Sequence, residues 1–312
     1  MQNLFIAAKA VCPLFVMMSL GYAIRLWGNV SENGLKEMNY LIYKIFLPIF
    51  MFVSVVTIDI KNDLNLSLII NAVILTSVIF IIIFVTVPLF EKENARRGAL
   101  IQGIFRSNFI IFGLTIATAI YGDRQLGAIT LLSAILVPFM NALSVIALEA
   151  FRGSKINIKS TVLGILTHPL ILAAAVALLM VFAGFMPSEL IFSPLQTISK
   201  ATMPLALIVI GASFQFKKIK GFYKQLFFGV AGRLILVPAI CLPICILLGF
   251  RDVALVGLLV AFGGPCATSS LAMAQQMDAD GELAGAMVVF TTALCVITIF
   301  LWVLLLGFMN ML

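Results

Sequence analysis

The chain has 312 residues, of which 62% are hydrophobic and only 11% charged, with a mean hydropathy of +1.18. Those proportions exclude a water-soluble globular surface and make lipid the solvent for most of the chain. The formal net charge of +7 points to membrane loops rather than to nucleic acid, because the basic residues cluster in short segments between apolar runs.

A bilayer core of about 30 Å takes about 20 helical residues, and ten apolar runs of that order can be read along the chain. The first covers Leu4 to Trp27; the opening Met1-Gln2-Asn3 lacks the basic start of a signal peptide, so this run is kept as a helix. The second covers Leu35 to Ile58, the third Leu66 to Phe90, the fourth Gly98 to Tyr121 and the fifth Gln125 to Ala150. A short basic linker, 151–160, follows. The sixth run covers Thr161 to Gly184, the seventh Phe192 to Phe216, the eighth Phe222 to Gly249, the ninth Val253 to Gln276 and the tenth Glu282 to Phe308. The expected fold class is an all-α integral membrane protein.

Sorting the loops by alternate sides gives one face with Arg25, Lys36, Lys92, Arg96, Arg97, Arg152, Lys155, Lys159, Lys217, Lys218, Lys220 and Lys224. The other face has only Lys61, Arg124 and Arg251. The positive-inside rule makes the first face cytoplasmic and puts both termini on the non-cytoplasmic side of a plasma or inner membrane.

The two halves resemble each other. At an offset of 156 residues Pro13 meets Pro169, Lys44 meets Lys200 and Pro48 meets Pro204; one residue later in offset, Asp123 and Leu126 meet Asp280 and Leu283. The reading is a five-helix repeat over 1–150, a cytoplasmic linker at 151–160 and a second repeat over 161–312. An odd number of spans per half turns the second half upside down, the inverted-repeat plan common among secondary transporters.

Candidate chemistry sits in two interruptions. The ninth run contains Gly263-Gly264-Pro265-Cys266-Ala267-Thr268-Ser269-Ser270, where proline removes a donor and the paired glycines loosen the preceding turn. In the fourth run the counterpart is Arg106-Ser107-Asn108, continuing through Gly113 and Thr115. A break exposes free amides that attract anions, and irregular backbone in a membrane is tolerated only against protein or a wet cavity. The alternative is that Gly263, Gly264 and Pro265 merely kink a packed helix. Asn108 offers an amide to a carboxylate or to loosened backbone. Arg106 and Arg233, inside the fourth and eighth runs, either grip a carboxylate or snorkel to the cytoplasmic face. Lys44 and Lys200 suit snorkelling better.

Other chemistries find little support. His168 is the sole histidine, and Cys12, Cys241, Cys245, Cys266 and Cys295 lie in apolar runs without ligand spacing, so neither a metal nor a cofactor is expected. Asp59, Glu149, Asp252, Asp278 and Glu282 fall at span ends, which leaves no carboxylate for a buried cation site. Tyr121-Gly122-Asp123 has no second intramembrane aspartate, which argues against an aspartyl intramembrane protease.

The segments Asn108-Phe109-Ile110-Ile111-Phe112-Gly113-Leu114 and Pro265-Cys266-Ala267-Thr268-Ser269-Ser270-Leu271-Ala272-Met273-Ala274, with Arg233 to Pro238 as a weaker third element, resemble the auxin efflux carrier family of membrane transport proteins. The resemblance implies export of a small organic anion by alternating access, with the fourth and ninth spans crossing at their breaks and spans 1, 2, 6 and 7 as a scaffold. Together with the reading of the residues, the expected substrate site comprises Arg106, Ser107, Asn108, Gly113, Thr115, Arg233, Gly264, Pro265, Cys266, Ala267, Thr268 and Ser269. Thr115 stands where the family usually carries proline, and the short linker resembles prokaryotic members. The expected partners are the organic anion and the lipid bilayer, with a homodimer as candidate assembly and no nucleic acid. A sodium-coupled symporter of the bile-acid type is the alternative transporter reading.

Overall fold

The structure is a computed structural model that describes residues 16–28, 30–57, 65–109, 112–113, 116–117, 127–152, 167, 169–213 and 221–312. Among them every regular element is a helix. In chain order these are α1 (Val16–Leu26), α2 (Glu32–Leu41) and α3 (Leu47–Val56), then α4 (Leu66–Phe90), α5 (Asn94–Phe105) and α6 (Gly127–Ala150). The second half holds α7 (Pro169–Phe182), α8 (Glu189–Ser213), α9 (Tyr223–Ala231), α10 (Val237–Leu247), α11 (Asp252–Gly263), α12 (Ser269–Gln276) and α13 (Gly281–Phe308).

Several starts are fixed by short polar side chains. The Ser31, Asn65 and Asp280 side chains accept from the backbone amides of Gly34, Leu68 and Leu283, satisfying donors that a helix start leaves free. Two helices widen into five-residue π segments, Ile42–Phe46 before α3 and Gly232–Leu236 before α10. Each lies just before a proline, Pro48 or Pro238. Proline cannot donate to the carbonyl four residues back, and the ladder shifts to the wider repeat, Leu47 N–H reaching Ile42 and Val237 N–H reaching Gly232.

Four helices among the described residues are long and apolar enough to cross a membrane: Leu66–Phe90, Leu131–Ala150, Glu189–Ser213 and Tyr223–Leu247. A fifth results if Gly281–Cys295 and Ile297–Phe308, bent by 44°, are one span. The solvent these helices expect is legible on α4. Its outer face shows Leu66, Ile70, Ile74, Val78, Ile81, Val85 and Leu89, all exposed, while Leu68, Ala72, Leu75, Ile79 and Ile83 are buried on the other side. A helix apolar on its exposed face as well as its inner one belongs in lipid. The chain is a multi-pass membrane protein.

The interior divides into two apolar cores. The larger gathers residues of α4, α5, α6 and α9 to α13, among them Phe80, Phe105, Leu132, Leu234, Leu259 and Met287. The smaller centres on the π segment before α3, on α3, α7 and α8, with Ile42, Leu47, Met51, Ala177, Phe192 and Val209. Helices α1 and α8 meet backbone to backbone. A Cβ on Gly21 would fall 1.9 Å from the carbonyl oxygen of Ile208, and one on Gly211 1.9 Å from that of Met18. Small residues at such crossings let membrane helices gain dispersion contact where lipid gives no hydrophobic drive.

At one end of the molecule polar loops converge. Arg96 pairs with Asp280 at 3.3 Å, Arg152 with Asp278 and with Glu149 at 2.9 Å each, and Arg25 with Glu32 at 3.0 Å. Partial burial works against the charge of Arg152, yet its hydrogen bonds to Asp278 and Glu149 outweigh that and hold its pKa above the ordinary arginine value. At the far end of α11, Arg251 binds the carbonyls of Ile246 and Phe250 at 2.8 and 2.7 Å. Lys61, Arg124, Lys155, Lys159, Lys217, Lys218, Lys220, Asp59, Asp123, His168 and Cys12 lie outside the described residues.

Candidate functional site

Two helices stop short in mid-run, and their loose ends pair. Helix α5 ends at Phe105, after which Arg106 is extended at φ −90°, ψ 122°. Helix α11 ends at Gly263, and Gly264 is extended at φ −67°, ψ 163°, as expected of a residue preceding proline. The extended peptides form a short antiparallel bridge, Ser107 opposite Cys266, and Asn108 N–H donates to the Pro265 carbonyl at 2.8 Å. The backbone groups freed by each break are therefore partly satisfied by the other, the accounting that a lipid-embedded chain demands.

Side chains complete that accounting. Ser107 Oγ donates to Val260 O at 2.7 Å, and Cys266 N–H donates to Thr291 Oγ1 at 3.0 Å. Gln102 Nε2 reaches Ser270 O at 3.1 Å, tying α5 to α12. Gly264 is required by space: a Cβ there would stand 2.5 Å from Val260 O and 2.9 Å from Ser107 Oγ.

Arg233 holds the crossing from behind. Its side chain is fully buried and donates to four carbonyls: Nε to Gly264 at 2.6 Å, Nη1 to Ile104 at 3.2 Å and Phe105 at 2.9 Å, and Nη2 to Ala261 at 2.8 Å. These carbonyls belong to the C-terminal ends of α5 and α11 and to the residue just past α11, where unpaired acceptors and the negative end of the helix dipole collect. The planar guanidinium is suited to this, since its five donors fan out in one plane.

On the other side lies a cavity of about 40 Å³ lined by Arg106, Ser107, Asn108 and Phe109 from the first break and Ala267, Thr268 and Ser269 from the second. Its remaining walls are Leu47, Phe50 and Met51 of α3, Val137, Met140 and Asn141 of α6, and Met203 of α8. The volume has room for a few waters, each needing about 10–15 Å³ of such space. Arg106 is 3% exposed. It donates to Asn141 Oδ1, Ser269 Oγ and, at 2.9 Å, Met273 Sδ, all neutral groups. Asn108, 5% exposed, has no protein partner for its Nδ2. Among the described residues no carboxylate lines this cavity.

The sequence-predicted site residues thus separate into groups. Arg106, Ser107, Asn108, Ala267, Thr268 and Ser269 share the cavity wall, while Gly264, Pro265 and Cys266 build the bridge beside it. Gly113 packs against Phe109 and Ile129. Arg233 touches the crossing but not the cavity, and neither it nor Arg106 snorkels. Lys44 and Lys200 are exposed. Thr115 lies outside the described residues. Sequence reasoning missed Asn141, whose signal was an isolated amide three residues after Pro138 in an otherwise apolar run, and it missed the apolar wall from α3 and Met203, which nothing distinguishes from ordinary core.

The sequence matches the membrane transport protein family over residues 6–160 and 154–303. It is 24% identical over 315 residues to an uncharacterised transporter of Methanocaldococcus jannaschii, covering 95% of this chain and 98% of that protein. It is 25% identical over 300 residues to a candidate malonate transporter of Rhizobium meliloti, covering 93% of this chain and 92% of the relative.

Proposed function

The chain belongs to the auxin efflux carrier family of membrane transport proteins, a transporter family and not an enzyme family, and from that premise we propose that it is a secondary transporter of a small organic anion. The substrate is a mono- or dicarboxylate, bound where the two broken helices cross. One observation carries this reading. A buried arginine with neutral partners and an amide donor with no partner face one cavity that carries no carboxylate among the described residues.

The chemistry follows from those groups. A carboxylate in the cavity gains a charge-assisted hydrogen bond from Arg106 and satisfies the Asn108 amide, which otherwise costs about 1–3 kcal/mol as a buried unpaired donor. Helix α12 begins at Ser269 on the same wall, so the positive end of its dipole lies beside the cavity. The likeness to a candidate malonate transporter supports a carboxylate without choosing its length.

The proposed architecture is ten spans in two inverted five-helix repeats. At 1.5 Å per residue α11 and α12 supply about 18 and 12 Å of helix, together about the thickness of a bilayer core. The two halves also touch at the proposed offset, since Thr202 Oγ1 donates to Phe46 O, 156 residues away, at 3.3 Å. Both termini are taken to lie on the non-cytoplasmic side, with the Arg96, Arg152 and Asp278 end in the cytoplasm. An inside-negative potential then drives an anion outward by about 2.3 kcal/mol per charge per 100 mV. A cavity of only 40 Å³ suits a closed state that must open to load. The substrate supplies the missing counter-charge, so sodium is not needed.

The test is flux in proteoliposomes across a panel of mono- and dicarboxylates with an imposed potential. Asn108→Ala and Pro265→Ala should leave a folded protein and cut flux to a weak residual level. Unchanged flux in both, or flux that requires sodium and ignores potential, would overturn the assignment.

A further inference from the structure

A second cavity, of about 100 Å³, lies at the end of the molecule where the charged loops meet. Arg25, Glu32, Lys36, Ser213, Gln275 and Glu282 line it. Both cavities sit on one seam, where α2, α3 and α8 face the broken-helix body. The smaller takes Leu47 and Met51 of α3 and Met203 of α8 against Thr268 and Ser269. The larger takes Leu35 and Lys36 of α2 and Ser213 of α8 against Gln275. Along α12 the step from Ser269 to Gln275 is six residues, about 9 Å.

The seam is also crossed by a side-chain hydrogen bond, its Gln275 end exposed at the larger cavity and its Asn39 end buried. Asn39 Nδ2 donates to Gln275 Oε1 across the seam, in a residue pair separated by 236 positions. Asn39 is 3% exposed, and Tyr43, Met273 and Met277 beside it are buried in the smaller core. Met273 also receives the Arg106 guanidinium, so α12 carries both the cavity's arginine partner and, two residues on, Gln275. Two ion pairs of the α12–α13 turn run to the first turn of α5, Arg96 to Asp280, and to the residue just past the end of α6, Arg152 to Asp278, helices that share the larger core with α13. The Asn39–Gln275 bond runs instead to α2.

We propose that Asn39 and Gln275 form the latch of a gate between a vestibule at the charged-loop end, the cavity of Arg25, Lys36 and Gln275, and the inner cavity at Arg106 and Asn108. A hydrogen bond between two neutral amides suits that duty. It closes the seam with about one hydrogen bond of net stability, and each amide finds water as a replacement partner when the seam parts. A buried ion pair would cost far more to separate. The proposal assigns the two openings of the seam to one route and rests on the inner cavity being the transport site, but its test needs no substrate.

A cysteine at Met203→Cys on the inner cavity wall reports access. The purified protein in nanodiscs is treated with a charged methanethiosulfonate reagent, and the modification rate is followed by mass. In a Cys12→Ser background, native Cys241, Cys245 and Cys295, fully buried away from the inner cavity, serve as the control for global opening. Asn39→Ala and Gln275→Ala should each raise the reporter's rate about five- to tenfold while the buried cysteines stay unmodified. Asn39→Lys combined with Gln275→Glu, which exchanges the latch for an ion pair, should slow it below the parent rate. Rates unchanged in both alanine variants, or no slowing in the charged pair, would overturn the gate. Proposed transport failing on every carboxylate would leave these rates as they are.

Discussion

Arg233 Nε and the carbonyl of Gly264 are joined at 2.6 Å, and the same guanidinium reaches Ile104, Phe105 and Ala261, so one side chain pins the ends of both broken helices. Its role is decided by what each replacement can still do. Arg233→Met leaves four buried carbonyls short of a donor, at about 1–3 kcal/mol each before relaxation, and should cost about 3–5 kcal/mol in all. Arg233→Lys keeps the charge but not the planar fork, and should recover roughly half. Melting in detergent checks both, with a drop on the order of 10 °C for the methionine variant. Were that variant to melt with the parent while losing carboxylate binding, Arg233 would be a substrate group and not a clip.

Gly211 is held against the Met18 carbonyl as Gly21 is held against that of Ile208. Gly211→Val forces α1 and α8 apart by more than 1 Å, since a Cβ at 1.9 Å from an oxygen has nowhere to go. Overpacking of this kind costs about 1–3 kcal/mol, and here the obstacle is backbone, so the upper end is expected. The neighbouring Ser213→Ala, which meets no such contact, is the control. The variant should melt well below parent and control; equal melting temperatures would show that the helix contact is not tight.

How much of this was readable beforehand differs from element to element. The interruptions at Arg106–Asn108 and Gly264–Thr268 were legible because glycine, proline and clustered small polar residues are costly in an apolar run, and α4 was legible to the residue because no charge and no glycine interrupts Leu66–Phe90. Starts shifted where polar residues supply the first turn: the second span begins at Glu32, capped by Ser31, and α5 at Asn94. The Ser107–Cys266 bridge was not legible, because a backbone pairing between segments about 160 residues apart leaves no mark on side-chain pattern. The carbonyl contacts of Arg233 were not legible for a related reason. Its partners are carbonyls, which every residue has, so composition cannot tell a guanidinium that clips backbone from one that awaits a ligand. Pro48 and Pro238 announced irregularity, but a kink and a π segment share that signal.

Gly264→Ala tests the bridge alone. The added Cβ meets Val260 O at 2.5 Å and Ser107 Oγ at 2.9 Å; the serine can rotate away, the carbonyl cannot. The expected cost is about 1–3 kcal/mol, with transport reduced more than stability, because the displaced strand carries Ala267 and Thr268 at the cavity wall. Pairing it with Ser107→Gly relieves one of the two contacts and should return part of the flux. No rescue would mean that the Val260 contact dominates and that the serine is a bystander.

Asn108→Asp separates a ligand-binding cavity from a merely polar one. The substitution is nearly isosteric and exchanges the orphan Nδ2 donor for an acceptor in a cavity whose wall carries Arg106 as its cation among the described residues. The new carboxylate supplies the counter-charge proposed for the substrate, so the folded state gains a partner for Arg106 and the site is occupied by its own side chain. Thermal stability should hold or rise. Carboxylate flux should fall at least a hundredfold, since a like charge in a desolvated site costs a bound anion several kcal/mol. Asn108→Ala is the comparison, losing the donor without adding the charge and keeping a weak residual flux at high substrate. If the aspartate variant transports carboxylates as well as the parent, Arg106 and Asn108 do not hold the anion, and the substrate path must lie elsewhere in the fold.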